Sequence, residues 1–164
     1  MDHYDSAQIC LNGHVINDQA RSSPQRGADF CPNCGSRTAT QCPSCKTEIR
    51  GHYHRGGEFP LEINPAHYHA PAFCHNCGNA YPWTAAALAA ANEIVEREET
   101  LTTDDKAEFE ADVNDVIRDV PRTRAAAIRI KGFLAKIPGA AASALRDIVV
   151  DIASEAAKKI ILGP

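Results

Sequence analysis

Three Cys-x-x-Cys pairs constrain the fold of this 164-residue chain more than any other feature. They occur in "CPNCG", "CPSCK" and "CHNCG" and contain six of the seven cysteines. The seventh lies in "CLNGH", where a histidine follows it. Structural zinc takes four ligands, usually thiolates with some imidazole. The spacing therefore predicts two zinc ions with eight ligands: Cys10, His14, Cys31, Cys34, Cys42, Cys45, Cys74 and Cys77.

A Cys-x-x-Cys pair can bind one ion because a tight turn directs both sulfurs to one point. Gly35 and Gly78 each follow a pair and can take the positive φ that such a turn often needs. In "CLNGH", Gly13 gives the same freedom, and His14 replaces the second sulfur. The competing interpretation is an ordinary buried Cys10 beside an ordinary surface His14.

The pairs can combine in two ways. Neighbouring pairs would join Cys10, His14, Cys31 and Cys34 in one site and the remaining four cysteines in another, as in tandem zinc ribbons. Alternate pairs would give a cross-braced domain of the RING type and a ubiquitin-ligase-like adaptor. RING domains usually place a histidine in the second pair and few residues before the third. Here the second pair is "CPNC" and "GSRTATQ" precedes the third, which favours neighbouring pairs.

Charge and composition divide the chain into two regions. All seven histidines and all the cysteines lie in residues 1–83. Residues 84–120 have a net charge of −8, and residues 121–164 have a net charge of +5. Alanine runs and apolar residues at helical spacing dominate both later segments. We therefore predict an α+β protein, with a zinc-ribbon region carrying a His-rich insert in 1–83 and a bundle of about four helices in 84–164.

Local signals indicate where these helices begin and end. Thr84 is expected to cap a first helix that starts at Ala85, and Thr102 with Asp105 to form a capping box for the second. A third helix is expected between Pro121 and Ile137 and a single last helix over about 140–162. The predicted apolar stripe of that last helix is Leu145, Ile148, Val149, Ile152, Ala156 and Ile160.

Several longer stretches together resemble a bacterial family catalogued as domain of unknown function 2321. They are "YDSAQICLNGHVIN", "FCPNCG", "QCPSCKTEIRGHYH", "PAFCHNCGNAYPWT" and "LRDIVVDIASEAAKKII". The resemblance covers nearly the whole chain. It implies a double zinc-ribbon region, a helical tail and a bacterial cytosolic origin, and it implies no activity.

Two His-Tyr-His tripeptides lie between the last two cysteine pairs. If their segments pair as a hairpin, His52, His54, His67 and His69 could bind another metal ion or act as general acids and bases. The tripeptides contain no carboxylate, and no nearby side chain resembles an activated nucleophile. We therefore favour polar flanks of a loose insertion, and we assign His3 to a mobile N-terminus.

The function predicted from these features is binding rather than catalysis. No carboxylate pair, nucleophile with a base, or phosphate loop is recognisable. The polar, acidic N-terminus does not resemble a signal peptide, and no apolar run suggests a membrane span, which favours the cytoplasm. We expect a zinc-binding adaptor with a protein partner or self-association. The competing classes are a nucleic-acid-binding ribbon protein and a metal-dependent hydrolase using the His-rich insert. The basic segment 121–164 could also contact an anionic membrane.

Overall fold

The computed structural model describes residues 2–56 and 68–163. The chain divides into two compact units, Met1–Thr84 and Ala85–Pro164. Small antiparallel sheets occupy the first unit and helices fill the second. The predicted α+β class is confirmed.

The described part of the N-terminal unit contains five short strands in two sheets. They are β1 (His3–Ser6), β2 (Gln8–Cys10), β3 (Val15–Asn17), β4 (Thr38–Ala39) and β5 (Arg50–His54). Strand β1 pairs antiparallel with β5, and β2 lies between β3 and β4. A single 3-10 turn covers Pro24–Arg26. Sheets this small bury little apolar surface, so the unit needs another source of stability.

The core of the N-terminal unit combines apolar side chains with cysteines. It contains Ala7, Ile9, Cys42, Ile49, Cys74, Tyr81 and Trp83. The rings of Tyr81 and Trp83 stack with centroids 4.6 Å apart, and Trp83 Nε1 donates to the carbonyl of Pro71 at 2.9 Å. Because two cysteines belong to this core, whatever binds their sulfurs also affects the packing around them.

Five helices follow in the described residues. They are α1 (Pro82–Arg97), α2 (Thr103–Val116), α3 (Thr123–Leu134), α4 (Gly139–Ile152) and α5 (Glu155–Leu162). In the C-terminal unit the rings of Phe109 and Phe133 stack with centroids 4.8 Å apart, and Leu145 and Val149 of α4 are fully buried. Within the part of the chain described, no helix combines the length and apolar character needed to cross a bilayer.

Helix α1 begins at Pro82, three residues before the predicted start. Proline suits the first turn because that turn does not use its amide hydrogen. Thr84 therefore lies inside the helix instead of capping it. Its hydroxyl donates to the carbonyl of Ala72 at 2.9 Å, and the side chain is buried.

The predicted last helix is two helices, α4 and α5. Ala153 and Ser154 are extended, with ψ of 151° and 155°. Ser154 Oγ caps α5 by accepting from the amide of Ala157 at 3.4 Å, and its own amide donates to the carbonyl of Val116 at 2.8 Å. The break between α4 and α5 thus provides a hydrogen-bond donor for the carbonyl of Val116, at the end of α2. No local sequence pattern reveals this contact.

The predicted capping box at α2 is present. The carboxylate of Asp105 accepts from the Thr102 amide at 3.1 Å and hydroxyl at 2.7 Å, and the Thr102 hydroxyl accepts from the Asp105 amide. Lys136 Nζ donates to the same carboxylate at 2.5 Å. The hydrogen bond from Lys136 and, to a smaller extent, those from Thr102 lower the pKa of Asp105 from 3.8 to about 2.

The stability of the helical unit is expected to fall in acid because of Asp105. A carboxyl with a lowered folded-state pKa stabilises the fold fully above 3.8, and this contribution is lost as the pH falls through about 2. Asp105→Asn should therefore lower stability near neutral pH and resemble the wild type near pH 2. Urea unfolding followed by circular dichroism at several pH values measures this. Asp104→Asn in the same helical turn is the control, and an equal effect of both substitutions would contradict the prediction.

Candidate metal centres

The structure brings the eight predicted ligands into two groups. Cluster one contains Cys10, His14, Cys31 and Cys34; cluster two contains Cys42, Cys45, Cys74 and Cys77. In each cluster the four ligand atoms all lie within 4.8 Å of one another. Neighbouring pairs are joined, so the arrangement is sequential and not cross-braced.

The distances within each cluster suit a tetrahedral metal ion. In cluster one, Cys10 Sγ lies 3.5 Å from His14 Nδ1 and 3.8 Å from Cys34 Sγ. In cluster two, the Cys42–Cys77 and Cys45–Cys74 sulfurs are 3.8 and 3.6 Å apart. A disulfide bond would require about 2.05 Å. Metal–sulfur bonds of about 2.3 Å and metal–nitrogen bonds of about 2.0–2.1 Å give tetrahedral edges of about 3.8 Å and about 3.5 Å.

All three Cys-x-x-Cys pairs form the same turn, which we call a knuckle. The amide of the first cysteine donates to the carbonyl five residues later, and the amide four residues later donates back to that cysteine. These six bonds are 2.8–2.9 Å long. The flanking residues pair across each knuckle as Phe30 with Arg37, Gln41 with Glu48 and Phe73 with Ala80. A repeated backbone frame therefore positions six of the eight ligands.

Each knuckle needs a left-handed residue directly after its second cysteine. Gly35 and Gly78 fill this position with φ of 69° and 72°. Lys46 fills it in the knuckle of Cys42 and Cys45 with φ of 62°, the one positive φ of a non-glycine residue in the described chain. A side chain there raises the energy of this backbone conformation.

Exchanging residues at this position is expected to change stability in opposite directions. Gly78→Ala should cost about 1–2 kcal/mol through backbone strain alone, since its Cβ would meet nothing within 4 Å. Lys46→Gly should stabilise the unit by up to ~1 kcal/mol, because it removes that strain. Chemical unfolding of the metal-loaded protein measures both changes.

Lys46→Ala is the matched control for the loss of the Lys46 side chain. It removes the bond from Lys46 Nζ to the carbonyl of Pro43 (2.9 Å) and keeps a Cβ at the strained position. The glycine variant should therefore be more stable than the alanine variant. The reverse order would show that positive φ is not costly here.

The fourth turn, at Cys10 and His14, is a knuckle shortened by one residue. The Cys10 amide donates to the His14 carbonyl at 3.0 Å, and the Gly13 amide donates back to Cys10 at 2.9 Å. Gly13 has a φ of 88°, and a Cβ there would lie 3.0 Å from Cβ of Trp83. His14 then follows the glycine, and its Nδ1 lies 3.5 Å from the sulfurs of both Cys10 and Cys31.

Hydrogen bonds favour the thiolate form at cysteines of both clusters. The Ser36 amide and hydroxyl, with the Asn12 side chain, lower the pKa of Cys34 to about 5. The Thr47 hydroxyl and amide do the same for Cys45, whose pKa is also about 5. Metal ions bind thiolates rather than thiols. Each cluster thus contains a sulfur whose surroundings favour the thiolate, the form that binds a metal ion.

The hairpin considered as an alternative for the two His-Tyr-His tripeptides is not present among the described residues. His52 and His54 lie on β5, whose described partner is β1, so His54 pairs with His3. His69 is exposed, and His67 lies outside the described residues. His3 was assigned to a mobile N-terminus, but it begins strand β1 and pairs with β5. The likeness of "DHYDS" to "GHYHR" was the available signal for this strand pairing.

The fold and clusters together define an α+β protein with two four-ligand Cys/His groups, each able to hold a metal ion. The chain belongs to the bacterial family described as "Uncharacterized protein conserved in bacteria (DUF2321)", which it matches over residues 3–161. The family resemblance inferred from the motifs is thus confirmed. No curated protein and no solved structure matches the chain.

Proposed function

We propose that the protein binds two structural zinc ions and acts as a non-catalytic interaction protein in the reducing cytosol. The observation that carries this proposal is the convergence of four protein ligands in each cluster. A complete tetrahedral shell of thiolates and imidazole is typical of structural zinc, and it leaves no position for an activated water. The ions would stabilise a unit whose own sheets are small.

Metal analysis of the purified protein tests the zinc assignment. The wild type is expected to contain two zinc ions, and His14→Ala is expected to contain one, in cluster two. Mass spectrometry under native conditions gives the mass with bound metal, and under denaturing conditions it gives the mass of the chain alone. The difference is the metal content, and a chain mass lowered by two hydrogens per bond reveals disulfides. Iron, a single ion, or oxidised cysteines in the wild type would overturn the proposal.

A surface beside cluster one supports a protein as partner. Leu11 and Phe30 are 43% and 55% exposed, and both flank Arg37. The Leu11 amide donates to the Arg37 carbonyl at 3.0 Å, and the Arg37 guanidinium lies 5.6 Å from the centre of the Phe30 ring. Aromatic residues and arginine are enriched where proteins bind each other. The knuckle holds these side chains on a fixed backbone.

Quantitative capture from the source cell tests this surface. The double variant Leu11→Ser, Phe30→Ser should keep both zinc ions and lose at least about ten-fold in partner capture, as expected for residues central to an interface. Val15→Ser is the control, since Val15 is an exposed apolar residue of β3. Unchanged capture by the double variant would place the contact elsewhere.

A second candidate function is binding of single-stranded nucleic acid, favoured by the β1–β5 sheet. Tyr4 and Tyr53 are 45% and 39% exposed, and their rings lie 4.8 Å apart. The guanidinium of Arg50 lies 4.8 Å from the centre of the Tyr4 ring. Bases stack on such aromatic and guanidinium surfaces. Fluorescence anisotropy with a labelled single strand tests this, and salt-sensitive binding that Tyr4→Ala abolishes would favour it.

A further inference from the structure

Three imidazoles and a buried carboxylate meet on the β1–β5 sheet, and none of them belongs to either cysteine cluster. We call His3, Asp5, His52 and His54 the histidine group. The ring centroids of His3 and His54 are 5.0 Å apart, as are those of His52 and His54. His54 is therefore the central member, and its ring lies 3.4 Å (Nε2 to Oδ2) from the carboxylate of Asp5.

The central imidazole contains a buried nitrogen without a hydrogen-bond partner. Among the described residues, His54 Nε2 is the buried side-chain nitrogen or oxygen atom that lacks one. The 3.4 Å separation from Asp5 does not make a hydrogen bond of normal geometry. Buried polar atoms are nearly always satisfied, so an orphaned nitrogen indicates a missing partner.

The carboxylate beside this nitrogen is fixed and ionised. Asp5 is 3% exposed and accepts from the amide of Ser6 at 2.7 Å, the amide of Arg21 at 2.9 Å, and the hydroxyl and amide of Ser22 at 2.5 and 3.3 Å. Burial opposes its ionisation, but these bonds hold the pKa of Asp5 at about 2. A negative oxygen therefore faces the unpaired nitrogen near neutral pH.

We propose that the histidine group is a third metal site, for an exchangeable divalent transition ion, with His54 Nε2 and Asp5 Oδ2 as ligands and His3 and His52 completing the shell. Imidazole with carboxylate suits ions such as Zn²⁺, Ni²⁺ and Cu²⁺. Bonds of about 2.0–2.2 Å place nitrogen and oxygen ligands of a tetrahedral ion about 3.4 Å apart, and the centres of two coordinated imidazoles about 5 Å apart. The Nε2–Oδ2 distance and the ring-centre distances in the structure equal these values, although the ring nitrogens of His3 and His52 do not converge on the same point.

The site is looser than the cysteine clusters. In the described residues only clusters one and two have all their ligand atoms within 4.8 Å of one another. The rings of His3 and His52 must therefore rotate towards the ion, and this ordering weakens binding. His3 is exposed and His52 is half-buried, so the ion can enter and leave from the surface. The third ion is expected to exchange while the two in the clusters remain.

Titration of the tag-free, full-length protein with Ni²⁺ tests the proposal, since a polyhistidine tag would bind nickel itself. Calorimetry should show one nickel ion per chain, with the zinc content unchanged after gel filtration. His54→Gln should weaken nickel binding at least ten-fold and keep both zinc ions. His75→Gln, which changes an exposed histidine outside the group, should bind nickel as the wild type does.

Two further measurements distinguish loss of a metal ligand from a general loss of stability. His3→Gln, at an exposed position, should weaken nickel binding without lowering thermal stability. In the wild type, nickel should broaden the imidazole signals of His3, His52 and His54 in nuclear magnetic resonance spectra and leave that of His75 sharp. The proposal fails if the wild type binds no nickel, if binding displaces zinc instead, or if His54→Gln binds as tightly as the wild type.

Discussion

Replacing Cys74 with serine is expected to unfold the N-terminal unit and to leave the helical unit folded. Cys74 is 2% exposed and belongs to the same core as Ile49 and Tyr81. Losing this ligand removes the ion of cluster two, and structural zinc contributes about 10–16 kcal/mol in small zinc-binding units. That is as large as the whole stability of a typical domain, about 5–15 kcal/mol. Amide signals of the N-terminal unit should collapse to random-coil positions while those of α2–α5 stay dispersed.

His75→Ala provides a matched control for this prediction. His75 lies in the same knuckle, between the two cysteines, and is exposed. The His75→Ala variant should keep two zinc ions and the dispersed amide signals of the wild type. A Cys74→Ser variant with dispersed signals for the N-terminal unit would mean that the apolar core, and not the metal, holds this unit together.

Leu145→Asp is expected to have the second largest effect, on the helical unit. Leu145 is fully buried in α4 and belongs to the core that contains Phe109 and Val149. A carboxylate there would have no partner, and an unpaired buried charge is among the few changes that cost more than about 4–5 kcal/mol. We expect loss of the cooperative helical melting transition, measured by circular dichroism at 222 nm.

The control for Leu145→Asp is the same chemical change at an exposed apolar position. Ile128 on α3 is 63% exposed, so Ile128→Asp should melt within a few degrees of the wild type. Zinc content should stay at two ions in both variants, since all proposed ligands precede residue 78. Equal melting of the two variants would show that the stripe of α4 is not the core of this unit.

The two clusters illustrate what local sequence can predict. A Cys-x-x-Cys pair with a following glycine specifies its own turn, so the knuckles that end at Gly35 and Gly78 could be inferred, with their left-handed residues, from local sequence alone. Lys46 was not foreseen in this role, because lysine has no preference for positive φ. The hydrogen-bond frame of the knuckle imposes the conformation regardless of the residue type.

Contacts between distant segments explain what the sequence left unpredicted. The stripe assigned to a single last helix placed Ala156 and Ile160 in the core, yet Ala157 and Ile161 are the buried residues. The helix restarts at Glu155 after the Ser154 cap, so its apolar face is shifted by one position. Likewise, His3 meets His54 through a strand pairing between residues 51 positions apart. Periodicity within a segment contains no information about either event.

The sequential order of the ligands has a consequence for synthesis on the ribosome. All four residues of cluster one occur by Cys34, before the first ligand of cluster two has been translated, and cluster two is complete at Cys77. Domains generally fold as units in the order of translation. A sequential arrangement lets the first ion bind to the nascent chain without competition from later cysteines, whereas a cross-braced one would have to wait for them. Wrong combinations of ligands are therefore less accessible while cluster one forms, because the cysteines of cluster two have not yet been translated.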